Sequence, residues 1–209
     1  MSEKLKRIWY NVLILTTTFG IMMKKKDIDE KLMLYLDRGL DLDKRRIWLE
    51  GVVDSDICGA LIRCIQYFNT VSETEPITLY INSEGGIITD GLALVDTIKQ
   101  SKAPINTMTI GTAYSMALII FLAGKERITL PSARFMNHSA SSSIEGKKES
   151  MKNTLKNIEE VDDLCQSVFK NTKKTIKWWS ERTKSEDFYF GAKEALKLGV
   201  VTKILGEEE

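Results

Sequence analysis

Two side chains and one pair of glycines in this chain have the chemistry of acyl transfer. Ser115 stands in Gly111-Thr112-Ala113-Tyr114-Ser115-Met116-Ala117, between a strand-like and a helix-like apolar segment. Small residues there let the chain turn sharply and set the hydroxyl at a helix N-terminus. Unpaired N–H groups and the positive end of the helix dipole would stabilise an oxyanion forming beside it. The same placement suits an ordinary N-cap serine, and the segment by itself leaves both readings open. His138, the one histidine of the chain, lies in Met136-Asn137-His138-Ser139 at the end of a strand pattern. Proton transfer by an imidazole must use this ring, although a lone histidine can equally be structural. A third group would have to orient the ring. Asp187, in Ser185-Glu186-Asp187-Phe188-Tyr189-Phe190, is a candidate among many carboxylates.

Asn82-Ser83-Glu84-Gly85-Gly86 supplies the glycines. Paired glycines bring bare N–H groups towards a ligand, and they also make a plain tight turn. The spaced glycines and Lys-Ser/Thr ending of a phosphate loop are absent. The order serine, histidine, aspartate differs from that of the α/β-hydrolases and the common serine proteases, and Tyr114 and Ala117 do not form a Gly-x-Ser-x-Gly elbow.

The elements that must position these groups alternate between strand and helix. Strands are expected at Arg46 to Leu49, Ile77 to Ile81, Ile105 to Ile110, Ile128 to Leu130 and Arg134 to Met136. Helices are expected at Asp54 to Phe68, Thr89 to Lys99 and Ser115 to Ala123. This order predicts an α/β fold with a largely parallel, buried sheet. From Glu149 to about Lys177, Met151, Leu155, Ile158, Val161, Leu164, Val168 and Ile176 keep three-and-four spacing, which predicts one long projecting helix suited to contact between subunits. Residues 1–40 are expected to form an N-terminal extension and first helix, with Ile28, Leu32, Leu36 and Leu40 at helical spacing; residues 41–206 form the main domain. The apolar run Val12 to Met23 falls short of the roughly 20 residues that span a bilayer and is followed by no small-x-small cleavage site.

Composition narrows the function classes. The 30 Lys and Arg against 29 Asp and Glu leave a net charge of +1, so no whole-molecule field favours nucleic acid or an anionic membrane. Cys58, Cys64 and Cys165 are too few for a disulfide scaffold or a four-ligand zinc site.

Several segments, taken in order, resemble the proteolytic subunit of the caseinolytic (Clp) protease. They are Ile47-Trp48-Leu49-Glu50-Gly51-Val52-Val53-Asp54, Leu79 to Gly86, Gly111 to Met116, Leu130-Pro131-Ser132-Ala133-Arg134 leading into His138, and Asp187 to Val201. The resemblance implies a ClpP/crotonase-like α/β fold and a serine endopeptidase without metal or cofactor. Ser115 would be the nucleophile, His138 the general base and then acid, Asp187 the orienting carboxylate, and Gly86 and Met116 the oxyanion-hole donors. It further implies a homo-oligomeric ring of seven subunits, two rings stacking through the long helix, with the sites facing an inner chamber in the cytoplasm. An AAA+ unfoldase such as ClpX or ClpA would feed in unfolded polypeptides and would be the partner that uses ATP. Departures are Glu84 for proline, Thr112 for glutamine, Ser139-Ala140 for Gln-Pro, and a substrate-binding strand, Ala140 to Lys148, with Gly146 its only glycine. They motivate a second reading, a catalytically silent ring subunit assembling with an active paralogue. An acyl-CoA enzyme of the same fold is a third, with no need for Ser115 and His138 together.

Overall fold

The computed structural model describes residues 39–139 and 148–206. The chain divides into two compact units, residues 1–46 and 47–209. The apolar run Val12 to Met23, nearly all of the first expected helix and residues 140–147 of the expected substrate-binding strand lie outside the described residues. In the first unit Leu40, expected as the last apolar position of a helix, is in the short strand β1 (Leu40–Asp41). Gly39, just before it, takes a left-handed conformation at φ +56. A turn follows, in which Lys44 N donates to Asp41 Oδ1 at 3.0 Å.

All of β2 (Arg46–Val53) but its first residue lies in the second unit, which continues α1 (Ser55–Val71), β3 (Ile77–Gly86), α2 (Ile88–Gln100), β4 (Ile105–Tyr114), α3 (Met116–Leu122), β5 (Arg127–Thr129) and β6 (Arg134–Asn137). After residue 148 come α4 (Lys148–Gln166), a 3-10 turn (Ser167–Asn171), α5 (Ile176–Arg182), β7 (Phe188–Gly191), α6 (Ala192–Leu198) and β8 (Lys203–Ile204). Asp54 caps α1 by accepting from the backbone N–H groups of Asp56 and Ile57, both at 3.0 Å, as expected of an acidic residue before an apolar helix.

Strands β2, β3, β4, β5 and β8 lie side by side, with β6 on β4 and β7 on β6. The pairs β3·β4, β4·β5, β4·β6 and β5·β8 are parallel, and β6·β7 is antiparallel. The expected parallel α/β sheet is therefore present, and its strands run longer than their apolar runs. Strand β3 continues through Ser83 and the glycine pair, and β4 continues to Tyr114.

Strand β4 serves two neighbours in turn. Thr107 to Thr109 pair with β5, and Thr112 to Tyr114 pair with β6. Between the two stretches the β3·β4 register shifts, from Ile81 opposite Thr109 to Ser83 opposite Ala113. The Asn82 side chain fills this irregularity, its Oδ1 accepting from Thr112 N at 3.0 Å. A Cβ on Gly111 would stand 2.3 Å from that oxygen, so any larger residue there would have to displace the Asn82 amide. The branching carries the end of β4 away from β5 and alongside the end of β6.

The apolar face of the sheet is covered by α3, whose residues Met116 to Leu122 are all buried, with Phe121 tilted against Phe135 of β6 at 5.5 Å. Each such fully buried side chain contributes on the order of 1.5–3 kcal/mol. On the other side of β6, Phe190 of β7 stacks on Phe135 at 5.5 Å, and Trp179 of α5 packs on Phe169 at 4.4 Å. Arg127, buried at the start of β5, donates to the carbonyls of Val200 at 2.7 Å and Gly199 at 3.1 Å, tying β5 to the chain just before β8.

The single long helix expected from 149 to 177 is two helices. Ser167 Oγ donates back to Leu164 O at 2.7 Å, and α4 tightens into the 3-10 turn from which Phe169 enters the core. Thr175 then caps α5, accepting from Trp178 N at 3.1 Å. Apolar spacing was continuous because the two helices share a buried side, and periodicity does not register the hydroxyls that end one and begin the next. In the first part of α4 the side chains from Met151 to Asn157 are exposed.

Candidate active site

Three parallel strands deliver the candidate residues at their carboxyl ends, where α/β sheets place their sites. Strand β3 ends in Gly85-Gly86, β4 leads into Ser115 and Met116, and β6 leads into His138. The β4·β6 register pairs Tyr114 with Met136, and the next backbone bond, Ser115 N to Met136 O at 2.9 Å, fixes the two strand ends together. Ser115 Oγ then meets His138 Nε2 at 2.6 Å.

Ser115 occupies the N-cap position of α3, but its hydroxyl makes no capping bond. Its backbone is at φ +51, a left-handed value that a serine adopts only at a cost of about 1–3 kcal/mol. The hydroxyl that would have capped the helix points to the imidazole instead. Met116 and Ala117 begin the helix, so their N–H groups have no carbonyl one turn earlier to bond.

The glycine pair abuts this corner. Gly85 has φ +96, and a Cβ there would lie 2.8 Å from Tyr114 O and 2.9 Å from Met116 N. Gly86 presses on β2, where a Cβ would stand 2.2 Å from Val53 O. Gly91, on α2, leaves the space that the Met116 side chain occupies, a Cβ there falling 2.4 Å from Met116 Cγ. The paired glycines are thus an extended strand end held against the serine turn, more than a loop between elements.

Asp187 immediately precedes β7. The antiparallel register pairs Asn137 with Phe188, so one further step sets Asp187 across from His138. Its carboxylate does not bond the ring; it accepts from the Tyr189 hydroxyl at 3.5 Å. The Tyr189 ring stands edge-on to Tyr114 at 5.7 Å, and its phenol is held above the ordinary range by local desolvation and then by the Asp187 carboxylate.

Ser115, His138, Gly86 and Met116 all line one cavity of about 280 Å³. Residues the sequence reading had not assigned to the site complete it: Ile87, Ile88, Ile119, Asn137, Asp162, Cys165 and Gln166. Asn137 carried a faint signal, being a polar residue on the same strand face as buried Phe135. Burial, together with the Asp162 carboxylate, pushes the Cys165 thiol up to about 11, so it is protonated at neutral pH. Among the described residues no group of three or more His, Cys, Asp or Glu side chains could hold a metal ion, and no helix is long and apolar enough to cross a membrane.

A parallel α/β sheet whose strand ends bring a hydroxyl, an imidazole and a glycine pair to one cavity defines a class of hydrolase-like folds. Within that class, the family model for Clp protease matches residues 30–208, and the chain belongs to the Clp protease family. The fold is accordingly that of a ClpP-type peptidase, a class that acts as rings of subunits in partnership with Clp unfoldases.

Proposed function

We propose that this chain is a serine-type endopeptidase that hydrolyses unfolded polypeptide. The observation that carries the reading is the 2.6 Å contact between Ser115 Oγ and His138 Nε2 beside the first N–H groups of α3. Ser115 Oγ attacks the scissile carbonyl carbon while His138 Nε2 takes its proton. The oxyanion that forms is received by the N–H groups of Met116 and Gly86. His138 next donates its proton to the departing amine, leaving an acyl-serine, and then activates the water that releases the acid. Asp187, released from Tyr189 and turned to the ring, would complete the triad by orienting the imidazole, and no metal or cofactor enters the reaction.

The assembly proposed is a homo-oligomeric ring of seven subunits, alone or stacked in pairs through α4, enclosing the sites. An AAA+ unfoldase of the ClpX or ClpA kind would supply threaded chains, so that access rather than the pocket alone spares folded proteins. The exposed Met151, Leu155 and Leu164 on α4 support that contact, since an apolar stripe left in water favours a partner.

One observation favours a second reading. The Asp187 carboxylate is on Tyr189 and not on His138, as in a subunit that assembles but does not turn over. A fluorophosphonate probe separates the two. The proposal expects labelling of the wild type at Ser115, none in Ser115→Ala, and cleavage of short fluorogenic peptides by the purified chain. Labelling that persists in Ser115→Ala would refute the assignment, and a purified wild type that neither labels nor cleaves would favour the silent subunit.

A further inference from the structure

The β6·β7 ladder ends at the pair Asn137 and Phe188, one residue short of both His138 and Asp187. A second tie closes the same stretch from its far side. Ser139 Oγ donates to the backbone carbonyl of Thr183 at 2.9 Å, so the residue directly after His138 is bound to the chain just ahead of the segment 184–187 that carries Asp187. The two ties bracket His138 on one chain and that whole segment on the other.

The carbonyl that receives this bond is firmly held. Thr183 is the C-cap of α5, where the last carbonyls of a helix lack an intrahelical donor and take one from elsewhere. The residue is 3% exposed, and its own hydroxyl donates to Trp179 O at 3.2 Å. Trp179 is fully buried, and its indole N–H donates to Thr172 Oγ1 at 2.9 Å. The other end of the segment rests on the same helix. The Phe188 ring meets Trp178 edge-on at 6.0 Å and Trp179 at 6.2 Å, and the Arg182 guanidinium lies over it at 4.9 Å. A site keeps its geometry when the residues behind it are locked by packing and hydrogen bonds. Here the Ser139 bond extends that locked region to the strand end bearing His138. The Ser139 side chain is itself exposed, so truncating it opens no cavity in the core.

We propose that Ser139 is a positioning residue: its bond to Thr183 fixes the spacing between the strand end that carries His138 and the segment that carries Asp187. The kinetic consequence rests on the peptidase reading of Ser115, but the placement of the ring is measurable without turnover. Ser139→Ala should lower kcat on a fluorogenic peptide by about 10- to 100-fold with KM within about twofold, because a misplacement of about 1 Å costs roughly 10²-fold. Ser139→Thr keeps the hydroxyl and should restore about half of the wild-type kcat or more. In an Asp187→Asn background the alanine change should cost no more than about twofold, since two substitutions that act through one relationship do not add. A wild-type kcat in Ser139→Ala, an equal loss in both backgrounds, or no rescue by threonine overturns the proposal.

His138 is the one histidine of the chain, so untagged protein labelled with ¹³C-histidine gives a single imidazole Cε1 signal. Wild type and Ser139→Thr should share its position, and Ser139→Ala should shift or broaden it; an alanine variant whose signal coincides with wild type overturns the proposal. The same spectra separate the two claims. A moved signal in a protein whose wild type neither cleaves peptide nor labels with a fluorophosphonate keeps the positioning bond and removes the peptidase. An active wild type whose alanine variant matches it in both kcat and signal does the reverse.

Discussion

His138 and Asp187 lie across from each other one step beyond the last pair of the β6·β7 ladder, yet the Asp187 carboxylate accepts from Tyr189 rather than from the imidazole. The ladder register directs the two residues towards one another, but no bond joins the carboxylate to the imidazole. Tyr189 is half exposed and its 3.5 Å bond is long, so the contact holding the carboxylate there is weak.

Two variants measure this relationship. Asp187→Asn keeps an acceptor for Tyr189 and loses the charge that would steady an imidazolium. It should lower kcat/KM on a fluorogenic peptide by on the order of 10²–10⁴-fold. Tyr189→Phe removes the competing donor and should leave kcat/KM unchanged or raise it by up to about tenfold. A large fall in the phenylalanine variant would mean that the phenol itself is needed.

Gly85→Ala should cut kcat with little change in KM. Its Cβ would stand 2.9 Å from both Met116 N and Ser115 Cβ at a backbone φ of +96, so the serine turn must shift. Displacement of a reacting group by about 1 Å costs roughly 10²-fold. Steady-state kinetics next to a circular dichroism spectrum that matches wild type would establish this.

Arg127 sets a stability test away from the site. Arg127→Met would strip partners from the carbonyls of Val200 and Gly199, at a cost of roughly 2–4 kcal/mol. Urea unfolding at one protein concentration should show a lower midpoint with an unchanged slope. Arg127→Lys, with fewer donors, should fall between.

The cysteines give the pH dependence. Burial first, and then neighbouring carboxylates, push the Cys58 and Cys165 thiols up to about 11. The reactive thiolate is thus scarce at pH 8, on the order of 0.1%. Alkylation of both by iodoacetamide, followed by mass spectrometry, should be slow at pH 7 and rise about tenfold per pH unit up to pH 10. Fast labelling of Cys165 at pH 7 would contradict the burial seen here.

Apolar runs were enough to read the parallel sheet and the order of its elements, because every second residue of Ile77 to Ile81 and of Ile105 to Ile110 is buried and those between are half-buried. They could not read strand ends. Ser83 to Gly86 and Gly111 to Tyr114 carry turn-like residues inside β3 and β4, since the Asn82 irregularity and the glycines it needs depend on a neighbouring strand. The closeness of Ser115 and His138 was legible through resemblance and not through spacing: it comes from β4 leaving β5 for β6. Asn137 and Gln166 were hidden because each looks like an ordinary member of a strand or helix until the cavity between them is seen. The end of α4 at Gln166 was missed because a hydroxyl bonding back to a carbonyl leaves no mark on periodicity.

The left-handed backbone of Ser115 sets reactivity and durability against each other at one position. Glycine would relax there at no steric cost, whereas alanine inherits the strain. Ser115→Gly should therefore melt above Ser115→Ala although neither has a hydroxyl, and calorimetry of the pair would give the free energy that the fold sets aside to hold one oxygen in place.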